Sequence, residues 1–374
     1  MKAIVIGAGP AGLAAAACLK QASITTRILE KSDCVGSSWR GHYDSLRLHT
    51  SRGNSGLPGY PLPASVGRFA SRTDVIAYLE SYATHHELTP DFGTQVTKIA
   101  QDDGCWTVTH SGGHMRADIV VVAAGMNRAP HRPVWPQMDG FAGEISHAAS
   151  YKRAGPYQGK RVLVVGFGNS GGDIALDLAN AGVAVDMSVR GPVNLLPKQL
   201  FGIPVTSLGL LGKILPYRVA DAVTAPILRL KLGRPSDYGL QNAGKGPMAQ
   251  VIEDARIPLI DIGTLGAIKA GKINTRPAIE AFRPNGVNFV DGTQGHYDAV
   301  ICATGYRADL RDILGDVPDV LNAAGKPLAS GVPMAATGLY FCSYWVSPNG
   351  QLAQAAREAE AIAQFALSQA PIQA

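Results

Sequence analysis

The most regular feature of this chain is a pair of short apolar runs, each followed by a glycine-rich turn. Residues 3–12 read AIVIGAGPAG, and residues 162–172 read VLVVGFGNSGG. An apolar run of this length is typical of a buried strand, and the Ala- or Leu-rich stretch after each turn is typical of a helix. The pattern therefore predicts two strand–turn–helix units, each with the glycine spacing GxGxxG.

The two units are part of a longer internal repeat. A second strand ends in a charged residue, Glu30 in the first half and Arg190 in the second. Further along, each half has an apolar strand that opens on Asp and closes on Ala-x-Gly, at 118–125 and at 298–305. The polar, alternating stretch before each of these strands predicts a small antiparallel meander. One GxGxxG is weak evidence, whereas two in matching context indicate two dinucleotide sites.

We therefore predict an α/β fold with two Rossmann-like dinucleotide-binding domains, in the glutathione-reductase-like arrangement of two-dinucleotide-binding flavoproteins. The NAD(P)H domain is inserted in the FAD domain. Residues 1–155 are predicted as the first part of the FAD-binding domain, 156–284 as the NAD(P)H-binding domain, and 285–374 as the second part of the FAD-binding domain. The active site is expected in the cleft where the domains meet.

The first glycine turn is predicted to bind FAD. Gly7 permits the tight turn, Gly9 lets the backbone approach a pyrophosphate, and Gly12 lets the helix pack close to the strand. The helix N-terminus supplies amide N–H groups to the phosphates. Glu30 is placed to accept hydrogen bonds from ribose hydroxyls and repels a 2′-phosphate, which favours FAD or NAD over NADP. Further predicted cofactor contacts in this half are Pro10, Ala11, Lys31, Gly36, Trp39, Ala124 and Gly125.

The second glycine turn is predicted to bind NADPH. Gly166, Gly168 and Gly171 take the same roles as the three glycines of the first turn, and Ser170 adds a hydroxyl donor. The strand here ends in Arg190 rather than an acid. Because a guanidinium binds a 2′-phosphate bidentately, NADPH is favoured over NADH. Further predicted cofactor contacts are Asn169, Thr304, Gly305 and Tyr306.

Composition excludes several other functions. The net charge of +5 comes from scattered cations rather than a dense basic stripe, so no nucleic-acid partner is predicted. The five cysteines lie far apart and none forms CxxC, which indicates a reducing, cytoplasmic protein without disulfides. No signal peptide, membrane span or metal site is predicted. The apolar stretch 195–232 predicts two amphipathic helices that pack on the nicotinamide domain, with a lid or membrane-touching surface as the alternative.

The stretch between the two glycine turns contains a further motif, FAGEISHAASYK at 141–152. Through Phe141, Gly143 and His147 it resembles the fingerprint FxGxxxHxxxY/F of the class B flavin-dependent monooxygenases. Its Tyr-Lys ending is similar to the flavin-containing and N-hydroxylating branch, whereas Baeyer–Villiger members usually end the motif in Trp. The same branch is also similar in ATGY (303–306) and in Glu30 followed by Gly36 and Trp39. Compact bacterial flavin-containing monooxygenases and plant YUCCA enzymes are similar in YDSLRLH (43–49) and IPLIDIGTLGAIKAGKI (257–273).

The resemblance implies a mechanism. NADPH reduces FAD, oxygen forms a hydroperoxide at flavin C4a, and one oxygen atom passes to a soft nucleophile such as a thioether or an amine. The implied partners are a small-molecule substrate and molecular oxygen, and a homodimer is left open. Two alternatives also stay open: YUCCA-like oxidative decarboxylation of indole-3-pyruvate, and an uncoupled NAD(P)H oxidase or electron-transfer reductase. A disulfide reductase would need a cysteine pair beside the flavin, and Cys34 has no second cysteine close by in sequence.

Two positions depart from the family pattern. His49 stands where many members place an Asn that helps to hold the hydroperoxide, so His49 is the predicted catalytic residue and peroxide leakage is expected. Gly191 follows Arg190 where NADPH-strict members have Ser or Thr, so NADH is expected to be tolerated. The resemblance assigns His147 to the domain junction rather than to base catalysis. The stretch 338–367 predicts a strand, a turn and a final helix whose N-terminus points to the flavin, which adds Gln351 and Leu352 to the predicted cofactor contacts.

Overall fold

The computed structural model describes residues 1–206 and 215–368. The chain divides into two compact units. The first comprises Met1–Gly41, Thr50–Ala129 and the chain from Tyr306 onward, and the second comprises His42–His49 and Pro130–Gly305. The main unit borders thus fall after residues 129 and 305, whereas the sequence-based boundaries lie after 155 and 284. Which cofactor each part binds stays a prediction.

A parallel four-stranded sheet forms the centre of the first unit. Its strands lie in the order Thr25–Leu29, Lys2–Ile6, Ile119–Val122 and Leu339–Phe341. All residues of Ile119–Val122 are buried, as expected for a parallel strand that is covered on both faces. Helix Pro10–Gln21 follows the first glycine turn, and it packs against the final helix Gln351–Ser368. Small Ala side chains in the middle of Pro10–Gln21 are buried and permit this close packing.

A parallel five-stranded sheet forms the centre of the second unit. Its strands lie in the order Ile273–Arg276, Ala184–Ser188, Arg161–Val165, Ala299–Cys302 and Glu144–His147. Helix Asn169–Asn180 follows the second glycine turn. In both sheets the strand before the glycine turn lies between the strand that leads to the charged residue and the strand that leads to Ala-x-Gly. The predicted α/β fold and its internal repeat are therefore confirmed.

Each unit also carries an antiparallel three-stranded meander, as the alternating stretches predict. The strands of the first are Val96–Asp102, Cys105–His110 and Gly113–Ala117. Those of the second are Ile279–Arg283, Gly286–Phe289 and Gln294–His296.

The remaining elements are short or lie outside the two sheets. Helix Arg72–His85 begins with a capping box, in which Ser71 and Asp74 each bond the other's backbone amide. No helix of residues 1–206 or 215–368 has the length and apolarity that a membrane crossing requires. In the described residues, the other α-helices are Ser37–Gly41, Tyr217–Leu232, Pro247–Asp254, Thr264–Lys269 and Arg311–Leu314, and the 3-10 turns are Arg52–Asn54, Met138–Gly140, Gly155–Tyr157 and Pro235–Tyr238. Further short strands there are Ala129–Pro130, Leu195–Pro197, Gln199–Leu200, Ile203–Pro204, Leu259–Asp261 and Tyr306–Arg307.

The stretch 195–232 differs in part from its prediction of two amphipathic helices. Its beginning, Leu195–Pro197, is a strand that pairs in parallel with Leu259–Asp261. The proline that ends this strand has no amide hydrogen to donate within a helix. The second predicted helix is present as Tyr217–Leu232, and residues 207–214 lie outside the described part of the chain.

Candidate functional site

The first glycine turn has the geometry of a phosphate-binding loop. Gly7 has φ +105°, and a methyl group there would lie 2.7 Å from the Ala123 carbonyl oxygen. A methyl group at Gly12 would lie 1.8 Å from the Gly7 carbonyl oxygen, so the helix could not approach its strand so closely. At Gly9, by contrast, no described atom beyond the two neighbouring residues lies within 4 Å of the added methyl group. The fold therefore requires Gly7 and Gly12, while Gly9 faces open space of the kind that a pyrophosphate needs.

Glu30 fixes this turn from the end of the second strand. Its carboxylate is buried, and it accepts hydrogen bonds from the amides of Ala8 at 2.6 Å and Ser32 at 2.9 Å. Each carboxylate oxygen keeps lone pairs for a ribose hydroxyl. The Gly36 amide donates to the Ala8 carbonyl at 3.0 Å, which ties the next predicted contact to the same turn. The other predicted residues of this segment differ in exposure, since Pro10, Ala11 and Trp39 are half-buried and Lys31 is exposed.

The second glycine turn repeats the first in detail. Gly166 has φ +117°, and a methyl group there would lie 2.5 Å from the Ala303 carbonyl oxygen. A methyl group at Gly171 would lie 2.2 Å from the Gly166 carbonyl oxygen. At Gly168 the added methyl group again has no described atom within 4 Å. Both turns thus have a first glycine with positive φ, a third glycine where the helix packs closely on the strand, and a second glycine that faces open space. This shared geometry is what two dinucleotide-binding turns require.

The polar residues near the second turn have different surroundings. The Asn169 side-chain oxygen accepts from the Ile260 amide at 2.8 Å, so this side chain anchors the neighbouring strand. The Ser170 hydroxyl makes no hydrogen bond to the described chain. Arg190 is exposed and forms no ion pair with any described residue, and Gly191 follows it. An exposed guanidinium without a protein carboxylate suits a phosphate partner.

His147 of the fingerprint stabilises the Ala-Thr-Gly turn. Its Nε2 donates to the Gly305 carbonyl at 3.0 Å, and its Nδ1 accepts from the Ala149 amide at 3.1 Å. Burial lowers the pKa of His147 below its ordinary value, although the bond to Gly305 opposes the shift. The His131 amide also donates to the Gly305 carbonyl, and the Thr304 hydroxyl donates to the His131 carbonyl. Both ring nitrogens of a neutral His147 are therefore used to hold backbone, which supports a positioning role.

The other fingerprint residues pack in the second unit. Phe141 lies edge-on to Phe282 with ring centroids 5.4 Å apart. A methyl group at Gly143 would lie 2.5 Å from the Asp298 carbonyl oxygen, so only glycine fits there. The Tyr151 hydroxyl donates to Asp177. The motif thus secures the edge of the second sheet.

The remaining predicted contacts lie in the first unit. Gly350 has φ +100° and precedes the final helix, whose first residue Gln351 donates to the Ser343 hydroxyl at 2.8 Å. Gln351 is half-buried, and the next residue, Leu352, is buried. Gly125 has φ +88°. It is the last residue of the segment 118–125, which contains the buried strand Ile119–Val122. Ala124 and Tyr306 are half-buried.

His49 belongs to a polar cluster that the motifs did not reveal. Its Nε2 lies 3.6 Å from an oxygen of Asp173, which is 6% exposed. The Tyr43 hydroxyl donates to the same Asp173 oxygen at 2.8 Å. The second Asp173 oxygen and His49 Nδ1 are both buried without a hydrogen-bond partner in the described chain. Buried polar atoms without partners are rare, so this cluster is a candidate for contacts with a bound molecule.

Tyr43 and Asp173 were not among the predicted site residues. Asp173 comes two residues after Gly171, and its position on the helix after the second turn was the available signal. Its partners Tyr43 and His49 lie more than a hundred residues earlier in the chain. Helical spacing gives no information on such distant pairs.

The sequence profile of the pyridine nucleotide-disulphide oxidoreductases matches residues 4–198, which is more than half of the chain. The rice protein "Indole-3-pyruvate monooxygenase YUCCA1" is 38% identical over 353 residues, which cover 93% of this chain and 84% of the rice protein. The chain belongs to the pyridine nucleotide-disulphide oxidoreductase family and, within it, to the flavin monooxygenases. The Arabidopsis thaliana protein "Probable indole-3-pyruvate monooxygenase YUCCA3" is another member, 37% identical over 84% of this chain and 75% of its own.

Solved structures of other oxygenases share the fold. A variant of the flavin monooxygenase from Stenotrophomonas maltophilia superposes with a TM-score of 0.77 at 24% identity, covering 98% of both chains. The S-allyl-L-cysteine S-oxygenase from Allium sativum superposes with a TM-score of 0.64 at 20% identity, covering 96% of this chain and 76% of its own. At these identities the likeness shows the fold alone. The predicted resemblance to flavin-dependent monooxygenases is confirmed, and the protein is an oxidoreductase of that type.

Proposed function

We propose that this flavin monooxygenase binds FAD at the first glycine turn and NADPH at the second, and transfers one oxygen atom to a soft nucleophile such as a thioether or an amine. The observation that carries the proposal is the repeated turn geometry with unlike charges beside it. The Glu30 carboxylate borders the first turn, and the exposed Arg190 follows the strand beside the second. A carboxylate favours a ribose with free hydroxyls, whereas a guanidinium favours a 2′-phosphate.

When bound, FAD would supply the redox chemistry, since it accepts hydride from NADPH and reacts with oxygen. The overall reaction balances as thioether + O2 + NADPH + H⁺ giving sulfoxide + H2O + NADP⁺. The protein's part is to hold both dinucleotides and to provide hydrogen bonds near the reacting oxygen. His49 is proposed for the last task, because its Nδ1 is buried without a partner in the described chain while Nε2 lies near Asp173.

A second candidate reaction is the oxidative decarboxylation of a 2-oxo acid such as indole-3-pyruvate. The observation that favours it is the 34–38% identity to several plant proteins whose names state that activity. This reaction balances as indole-3-pyruvate + O2 + NADPH + H⁺ giving indole-3-acetate + CO2 + H2O + NADP⁺. It uses the same two dinucleotide sites and differs in the group that receives oxygen.

The test is NADPH consumption by purified, FAD-loaded protein with an aryl methyl thioether or with indole-3-pyruvate. Sulfoxide, indole-3-acetate and hydrogen peroxide are quantified in the same samples. A sizeable ratio of oxygenated product to NADPH consumed supports oxygen transfer and identifies which reaction is preferred. NADPH loss that yields only peroxide with every substrate would contradict the proposal.

His49 offers a matched variant for the peroxide side reaction. The resemblance to the class B enzymes implies an Asn at this position, and His49→Asn keeps a polar group of smaller size. We expect His49→Asn to lower the fraction of NADPH that ends as peroxide. An unchanged peroxide fraction would show that His49 does not control the leak.

A further inference from the structure

The second unit contains an open surface cavity of about 490 Å³. Three segments line it. The first contributes Ser45 and Arg47, and the second contributes Lys198 and Gln199. The third is the strand end and turn at 261–263. Two of the lining side chains are therefore cations that come from distant parts of the chain.

The two cations lie close enough to influence each other. Burial lowers the pKa of Lys198 below its ordinary value, Asp173 opposes this shift, and Arg47 adds to it. Arg47 is exposed and forms no ion pair with any described residue. Like charges that are held together are stabilised by an anion placed between them.

The acidic residue in the lining does not serve as that anion. One Asp261 oxygen accepts from the amides of Gly263 at 3.2 Å and Leu265 at 3.0 Å, so it caps the following helix. No ion pair joins Asp261 to Arg47 within the described residues. The cavity thus has room for a further negative charge.

The cavity is linked to the polar cluster around Asp173. Lys198 interacts electrostatically with Asp173, which also lies 3.6 Å from His49. Arg47 precedes His49 by two residues in the same segment. An anionic group bound between Arg47 and Lys198 would therefore lie in the same part of the second unit as His49, the residue that we propose to act on the reacting oxygen.

We propose that Arg47 and Lys198 bind a carboxylate of the substrate, so that this enzyme prefers soft nucleophiles that carry an acidic group. The inference rests on the proposed function, because it concerns the substrate of that reaction. The same chemistry would suit a phosphate of the nicotinamide dinucleotide, and the experiment has to distinguish these two sources.

The experiment measures binding to the FAD-loaded protein by isothermal titration calorimetry, with two matched probes. One is para-methylthiobenzoate, and the other is its neutral amide, which presents the same thioether. A charge-assisted contact to two cations should make the acid bind at least about tenfold more tightly. Arg47→Gln and Lys198→Met should each abolish most of this difference and leave binding of the amide unchanged. Lys272→Met, a change at an exposed cation outside the cavity lining, is the control.

The outcomes separate the inference from the proposed function. Equal affinity for acid and amide would overturn the inference, and so would variants that weaken NADP⁺ binding while the acid still binds normally. Sulfoxide formation is then measured with both probes. If neither probe is oxygenated although the acid binds more tightly through Arg47 and Lys198, the proposed thioether oxidation fails while the carboxylate site stands.

Discussion

Replacing Gly168 with alanine tests the second dinucleotide site without disturbing the fold. Gly168 has φ −103° and ψ −177°, which alanine adopts freely, and the added methyl group has no described atom beyond the two neighbouring residues within 4 Å. The stability of the protein should therefore change by less than about 1 kcal/mol. The methyl group instead occupies the space through which a pyrophosphate has to approach the turn.

The expected loss of NADPH affinity follows from the hydrogen bonds between the turn and the pyrophosphate. An amide that donates to a charged phosphate contributes about 1.5–3 kcal/mol, so losing one such bond should raise the KM for NADPH by about 10- to 150-fold. The KM is measured from steady-state NADPH oxidation, the melting temperature from thermal unfolding, and the FAD content from flavin absorbance. Only the first of these should change.

Gly171→Ala is the contrasting variant. Its methyl group would lie 2.2 Å from the Gly166 carbonyl oxygen, so the helix has to shift at a cost of about 1–3 kcal/mol. This variant should lose thermal stability as well as NADPH affinity. An unchanged KM for NADPH in Gly168→Ala, or loss of FAD from that variant, would refute the assignment of NADPH to this turn.

Three further predictions address other parts of the account. Gly9→Ala should leave the melting temperature of the FAD-free protein unchanged and lower FAD retention, because its methyl group meets only open space in the fold; equal FAD content after dialysis would contradict this. Arg190→Ala should reduce the preference for NADPH over NADH by about tenfold or more, because the contact with the 2′-phosphate is lost. The preference is the kcat/KM for NADPH divided by the kcat/KM for NADH, and an equal value in wild type and variant would argue against this prediction. Burial holds the pKa of His147 below its ordinary value of 6.5, so the unfolded chain binds more protons and stability falls as pH drops below that value. His147→Gln should therefore show a shallower loss of melting temperature on acidification than the wild type, and identical slopes would count against the buried neutral His147.

Much of the fold could be predicted because its determinants are local. The apolar run, glycine spacing and strand-end charge of each half lie within about thirty residues, as in a βαβ unit. The turns around Gly7 and Gly166 need no long-range information, since the close approaches that require glycine are properties of the motif itself. The meanders likewise follow from alternation and a central glycine.

The polar cluster and the cavity could not be predicted, because they depend on contacts between distant segments. Tyr43 and Asp173 are 130 residues apart in sequence and meet only through the fold. Arg47 and Lys198 look like ordinary surface cations in the sequence, and the cavity alone indicates a role for them. The strand Leu195–Pro197 was missed for a similar reason, since its partner lies more than sixty residues further along.

If this protein is a monooxygenase of the proposed kind, oxygen from O2, rather than from water, reaches an organic substrate with the oxidation of one NADPH. The most direct test is turnover under oxygen-18 gas with FAD-loaded protein, NADPH and para-methylthiobenzoate, followed by mass spectrometry of the product. We expect a sulfoxide that carries one oxygen-18 atom, formed in a sizeable ratio to the NADPH consumed. NADPH consumption that gives labelled hydrogen peroxide and no labelled sulfoxide, with indole-3-pyruvate also unconverted, would contradict it.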